Sequence, residues 1–146
     1  HGISKKLPKM MGWQAAGAAP IVHGAPVEKP QTIATAIKIG NPASWKYAEA
    51  ARDESGGIID MITDDEILSA YSLLASAEGI FVEPASAASL AGVIKYKERG
   101  GFEGGETIGW TLTGHGLKDP DRAVKYASPP IKLKADIDDV MSVLDI

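Results

Sequence analysis

Apolar residues recur along this chain in short bursts, set alternately at strand-like and helical spacing. Lys9–Gln14 reads as a short strand running into AAGAAP, where alanines and Gly17 permit close backbone approach. His23–Gln31, with Pro26, Pro30 and several polar groups, reads as loop, and the β-branched Thr32–Ile39 as extended. Asn41 as N-cap and Pro42 at the first helical position then open a helix. Trp45, Ala48 and Ala51 or Arg52 share a face of it, and Gly56 stops it. Gly57–Ile62 is a short apolar strand of the kind buried in a parallel sheet.

The second half repeats the alternation. Thr63 and Glu66 have capping-box spacing, and Asp64 and Asp65 suit the positive end of a helix. Ile67, Tyr71, Leu74 and Ala75 follow the helical period up to Gly79. Ile80–Val82 reads as a short buried strand. Pro84 opens a helix with Leu90, Ile94 and several alanines packed, and Lys95, Lys97 and Arg99 near its negative end. Glu106–Thr113 reads as a strand with Ile108, Trp110 and Leu112 on one face. Asp119 and Pro120 open a helix through Ala127, and Pro129-Pro130 breaks the chain. IKLK (131–134) alternates like an exposed edge strand. A last short helix starts near Asp136, with Ile137, Val140, Met141 and Leu144 as its apolar stripe. The expected class is α/β, a three-layer arrangement of a parallel sheet flanked by helices.

Composition narrows the function. With 146 residues the chain is long enough for one domain with a sizeable core. A net charge of −4 argues against non-specific nucleic-acid binding, which needs a basic face. Zero cysteines remove disulfides and thiolate metal sites, and three well-separated histidines make a poor transition-metal site. No apolar run approaches the ~20 residues that span a bilayer. HGISKKLPKM is positive but lacks an apolar stretch of signal-peptide type, so the expected location is cytoplasmic.

Ligands of open α/β sheets sit beyond the C-terminal ends of strands, which singles out two junctions. In VEPASAAS, Glu83 follows a strand and the next side chains are small. They give either a tightly packed helix start capped by Ser86, or clearance for a flat ligand with Glu83 or Ser86 as polar contact. In TGHGLKDP, Thr113 ends a strand with Gly114 and Gly116 behind it. The motif is either a plain glycine turn or a corner that aims the Thr113 hydroxyl into a cleft. Asp119 reads as an N-cap and Lys118 as a surface turn residue, while His115 reads either as a general acid or base, its reference pKa being near neutrality, or, preferably, as a surface turn residue. RGGFEGGE (99–106) lies between a helix and a strand, the reverse of a phosphate cradle, and reads as a plain connection. Met10, Met11 and Trp13 read as core.

At QAAGAAPIV, ATAIKIGNPASW, VEPASAASLAG and LTGHGLKDP the sequence resembles the threonine synthase family of pyridoxal-phosphate enzymes. That family belongs to the fold type II, tryptophan-synthase-β-like group. The motifs occur in the family's order and spacing, almost to Ala127. EPASAAS is shared loosely with serine and threonine dehydratases, whereas IGNPASW with TGHGLKDP is more specific.

The resemblance implies pyridoxal 5'-phosphate as cofactor, with Thr113 bonded to its pyridine nitrogen and Gly114 clearing room for the ring. Glu83 and Ala85 would lie on the cofactor or substrate side. It implies conversion of O-phospho-L-homoserine and water to L-threonine and phosphate by a homodimer, without nucleic-acid or membrane partners. The family's cofactor-bearing lysine, in a Phe-Lys-Asp context, and its phosphate-binding glycine loop have no counterpart here. Residues 1–146 therefore read as the C-terminal portion of the large cofactor domain, with 129–146 a tail carrying a short helix, and as inactive alone. None of these residues is expected to be catalytic. A serine or threonine dehydratase and a non-catalytic α/β module are the alternatives.

Overall fold

The computed structural model describes residues 5–144; His1–Ser4 and the last two residues lie outside the description. Two strands, β1 (Met11–Ala15) and β2 (Ile58–Ile62), pair in parallel, with Met11 opposite Ile58 and Ala15 opposite Ile62. The helices are α1 (Pro20–His23), α2 (Trp45–Ser55), α3 (Asp64–Glu78), α4 (Pro84–Glu98), α5 (Pro120–Tyr126) and α6 (Ile137–Leu144). The α/β class and the parallel pairing agree with the sequence pattern.

The core forms where α4 packs on β1, β2 and α3. Ile62, Ile67 and Leu74 are its largest fully buried side chains. The α4 face that meets them is made of small residues, Ser86, Ala87, Ala88, Ala91 and Gly92, while Leu90 and Ile94 are half-buried at its margin. Small side chains let helix and sheet approach closely. Indeed the Trp13 ring fills the space a side chain at Gly92 would need. Trp13 thus packs against the core, but Met10 is exposed.

The capping box forms as its spacing predicts. The Glu66 N–H donates to Thr63 Oγ1 at 3.2 Å, and the Thr63 N–H donates to Glu66 Oε2 at 2.6 Å. Gly56 and Gly79 end α2 and α3 with φ of 63° and 65°, the left-handed geometry of a C-cap. In α3 the buried stripe is Ile67, Ala70 and Leu74, with Tyr71 half-buried and Ala75 exposed.

Several expected elements do not form. Residues 32–39 are not extended but carry a 3-10 turn at Thr35–Ile37. Polar bonds replace a strand ladder there, as Asp64 accepts from Thr32 Oγ1 and the Ile33 N–H, and Thr32 Oγ1 accepts from the Ala34 N–H. Helix α2 begins at Trp45 rather than Pro42, with Ser44 and not Asn41 at the N-cap position and no side-chain capping bond, while the Gly40 carbonyl accepts from the Val27 N–H on the preceding loop. Ile80–Val82 and Glu106–Thr113 are not sheet strands. Among the described residues Ile80–Val82 has one antiparallel bridge, Val82 to His115, and Glu106–Thr113 has no bridge partner. Ile80, Phe81, Ile108 and Trp110 are accordingly exposed. IKLK is exposed and irregular. Helix α6 forms as expected, with Asp136 Oδ1 accepting from the Asp138 N–H, yet Ile137, Met141 and Leu144 stay exposed.

Candidate active site

The two junctions singled out in the sequence meet in space. Val82 bridges His115, the Glu83 N–H donates to the Gly114 carbonyl at 3.0 Å, and the Gly116 N–H donates to the Phe81 carbonyl at 3.2 Å. This short antiparallel clasp fixes the start of α4 against the TGHG corner. Proline at the first position of α4 is pre-set for the helix and removes one donor that would lack a partner.

Ser86, in the first turn of α4, is the hub of the clasp and is 2% exposed. Its Oγ accepts from the Gly114 N–H at 2.6 Å and lies 3.2 Å from the Gly114 carbonyl oxygen and 3.1 Å from Thr113 Oγ1. It does not cap the helix; the N-cap position is Glu83, whose side chain makes no capping bond. Thr113 is exposed, so its hydroxyl is anchored from below and open above.

Glu83 is only 6% exposed. Its carboxylate makes no hydrogen bond or ion pair among the described residues, yet no fully enclosed oxygen is left without a partner. The carboxylate lies on Gly114, in the space a side chain there would require. Neither Gly114 nor Gly116 has positive φ. Both are glycines for close packing, Gly114 under Glu83 and Gly116 under the Phe81 ring. Ala85 is half-buried and packs against the core at the same end of α4.

His115 has a structural task. Its Nδ1 accepts from the Leu117 N–H at 3.2 Å, capping the 3-10 turn Gly116–Lys118, and its ring meets Phe81 edge-on at 5.4 Å between centroids. Asp119 occupies the N-cap position of α5 without capping it. Its carboxylate instead accepts from Thr35 Oγ1 at 3.4 Å. Burial first, and the Asp119 charge second, push the Tyr71 hydroxyl above its ordinary value of 10.0. Asn41 lies apart from the corner, beside a surface hollow shared with Trp45 and Glu49.

Sequence reasoning brought Thr113, Gly114, Glu83 and Ala85 to one place but missed the hub. Of the two readings of Ser86, cap or ligand contact, the first fails, since Ser86 does not cap α4; only the antiparallel clasp, invisible to local pattern, puts it under Thr113.

Among the described residues no helix is long and apolar enough to cross a membrane, and no cluster of three or more potential metal ligands occurs. A family model described as pyridoxal-phosphate dependent enzyme matches residues 1–114. Threonine synthase of Bacillus sp. (strain ULM1) is 60% identical over 119 residues, 82% of this chain and 34% of that protein. Threonine synthase of Mycobacterium leprae (strain TN) is 57% identical over 124 residues, 85% of this chain and 34% of that protein. Threonine synthase of Synechocystis sp. (strain ATCC 27184 / PCC 6803 / Kazusa) is 50% identical over 145 residues, 98% of this chain and 37% of that protein. The chain thus spans about a third of the length of these relatives.

Two solved structures share the fold. Maize serine racemase matches with a TM-score of 0.61 at 18% identity, over 80% of this chain and 39% of that one. The T.th. threonine deaminase matches with a TM-score of 0.51 at 23% identity, over 61% and 34%. With its α/β fold and a family match over most of its length, the chain belongs to the pyridoxal-phosphate dependent enzymes.

Proposed function

We propose that this chain is the C-terminal part of a threonine synthase, a lyase of threonine biosynthesis. The complete polypeptide, of the relatives' length, would convert O-phospho-L-homoserine and water to L-threonine and phosphate. The observation that carries this reading is the Ser86–Thr113 corner, which lies within the stretch aligned with proteins named threonine synthase at 50–60% identity. Pyridoxal phosphate supplies the electron sink for carbanion chemistry on an amino-acid substrate.

Two features of the corner fit such a group. The Thr113 hydroxyl is exposed above a buried partner, as a contact to a ring nitrogen requires. The Glu83 carboxylate is nearly buried yet unbonded, leaving it an acceptor for a donor on a bound molecule. Thr113 would meet the pyridine nitrogen, with Gly114, Glu83 and Ala85 around it. A neutral hydroxyl at that nitrogen does not enforce its protonation as a carboxylate would, and so sets a milder electron sink. Gly114 would serve by keeping Glu83 in place rather than by direct clearance. We assign the complete protein to the cytoplasm and to a homodimer.

The test is an assay of the complete polypeptide. Phosphate release from O-phospho-L-homoserine with formation of threonine supports the reading. Release of ammonia and a keto acid from serine or threonine, without that activity, assigns the dehydratase reaction instead. Residues 1–146 alone are expected to release no phosphate, because the cofactor-bearing lysine is supplied by a segment outside them. In the complete polypeptide, Thr113→Asp should change the cofactor's absorption and its pH dependence; an unchanged spectrum removes Thr113 from the ring nitrogen.

A further inference from the structure

The contacts of Ser86 leave little freedom for its one hydroxyl hydrogen. One lone pair of Oγ is taken by the Gly114 N–H at 2.6 Å. The hydrogen then has two acceptors in reach, Thr113 Oγ1 at 3.1 Å and the Gly114 carbonyl oxygen at 3.2 Å. That carbonyl already accepts from the Glu83 N–H at 3.0 Å. Thr113 Oγ1, by contrast, has no other hydrogen-bond partner among the described residues. Two arrangements satisfy every group: Ser86 donates to the second lone pair of the Gly114 carbonyl and accepts from Thr113, or Ser86 donates to Thr113; an acceptor bound at Thr113 takes the Thr113 hydrogen and so selects the second. A hydroxyl that accepts from below points its own hydrogen away from the donor, and here the open side is solvent.

We propose that Ser86 is a positioning residue that turns the Thr113 hydrogen outward, making Thr113 a directed donor toward an acceptor nitrogen. The inference rests on the reading above that Thr113 faces the pyridine nitrogen of the cofactor. Chained hydroxyls polarise one another, so donation by Ser86 also strengthens donation by Thr113. The pair favours the unprotonated nitrogen, and losing either hydroxyl favours protonation. Because Ser86 is 2% exposed, it acts only through Thr113 and touches no ligand itself.

The test follows the pH titration of the bound cofactor's absorption in the complete polypeptide, for Thr113→Val, Ser86→Ala and the double variant. Thr113→Val should raise the apparent pKa of the nitrogen by about one unit, the size of one neutral hydrogen bond. Ser86→Ala should raise it in the same direction by roughly half as much. In the Thr113→Val background, Ser86→Ala should raise it no further. If Thr113→Val shifts the titration and Ser86→Ala does not, or if the Ser86→Ala shift persists in the Thr113→Val background, the positioning role is overturned while the Thr113 reading stands. If Thr113→Val leaves the titration unmoved, both fall. Should Ser86→Ala fail to fold, Ser86→Cys keeps a weak donor at similar size. It should give a smaller shift in the same direction, and no shift overturns the proposal.

Discussion

The carboxylate of Glu83 sits where a side chain at Gly114 would have to be. The two residues are joined again by the 3.0 Å bond from the Glu83 N–H to the Gly114 carbonyl, so backbone and side chain lock the same pair. Gly114→Ala must therefore expel the carboxylate from its place, and overpacking of this kind costs about 1–3 kcal/mol. We expect that loss in urea unfolding of the complete polypeptide. In a Glu83→Ala background the same substitution should cost much less, because the obstructing group is gone. Equal costs in the two backgrounds would show that position 114 is limited by its backbone rather than by Glu83.

Gly92 poses a sharper contest of signs. Alanine in a helix interior is favoured over glycine by about 0.5–1 kcal/mol. Here, however, the new methyl would meet the fused-ring atoms of Trp13, close to its rigid attachment to the chain. Packing should win, and Gly92→Ala should destabilise by about 1–2 kcal/mol net. Trp13→Leu opens the space, and Gly92→Ala made beside it should be neutral or stabilising. Unfolding midpoints with unchanged denaturant slope would measure both effects.

What was legible in the sequence follows from range. The capping box at Thr63 and Glu66 and the αL stops at Gly56 and Gly79 are set by neighbours within a turn, and each appears as read. The strands β1 and β2 also appear, since each finds the other. Ile80–Val82 and Glu106–Thr113 carry strand-like patterns, but a pattern needs a ladder partner, and among the described residues the first finds only the bridge from Val82 to His115 and the second finds none. The same long-range clasp made Ser86 a hub and His115 a cap, roles that no local spacing specifies.

Asp64 ties the start of α3 to the loop before α2. It accepts from Thr32 Oγ1 and, at 3.1 Å, from the Ile33 N–H. Asp64→Ala orphans both donors where Thr32 is buried, and each unmet donor costs about 1–3 kcal/mol. The summed loss should reach about 2–4 kcal/mol. Asp64→Asn retains one acceptor oxygen and should lose about half of that. Hydrogen exchange should localise the effect, with the Ile33 and Ala34 amides losing protection in the alanine variant. Unchanged protection would mean that the loop is held by its other contacts.

Glu66 makes the stability pH-dependent. Burial opposes its ionisation, but the Thr63 N–H and the Lys95 ammonium, 3.0 Å away, outweigh it and hold the carboxyl below its ordinary 4.5. A lowered folded-state value means the stabilisation is complete above 4.5 and lost as pH falls through the lower, folded-state value. Glutamine can still accept from the Thr63 N–H, so Glu66→Gln preserves the capping box while removing the ionisable group. The variant should be less stable than the native protein at neutral pH, where Lys95 loses its counter-charge but keeps the Met61 carbonyl at 3.0 Å. The difference should shrink on acidification below about pH 4.5, because protonation makes the native side chain as neutral as the amide. Lys95→Met should act from the other side, raising the Glu66 pKa by removing the cation and so reducing the acid sensitivity. Denaturant midpoints across this range decide the matter. A constant gap between native protein and Glu66→Gln would mean that the ion pair contributes nothing to folding.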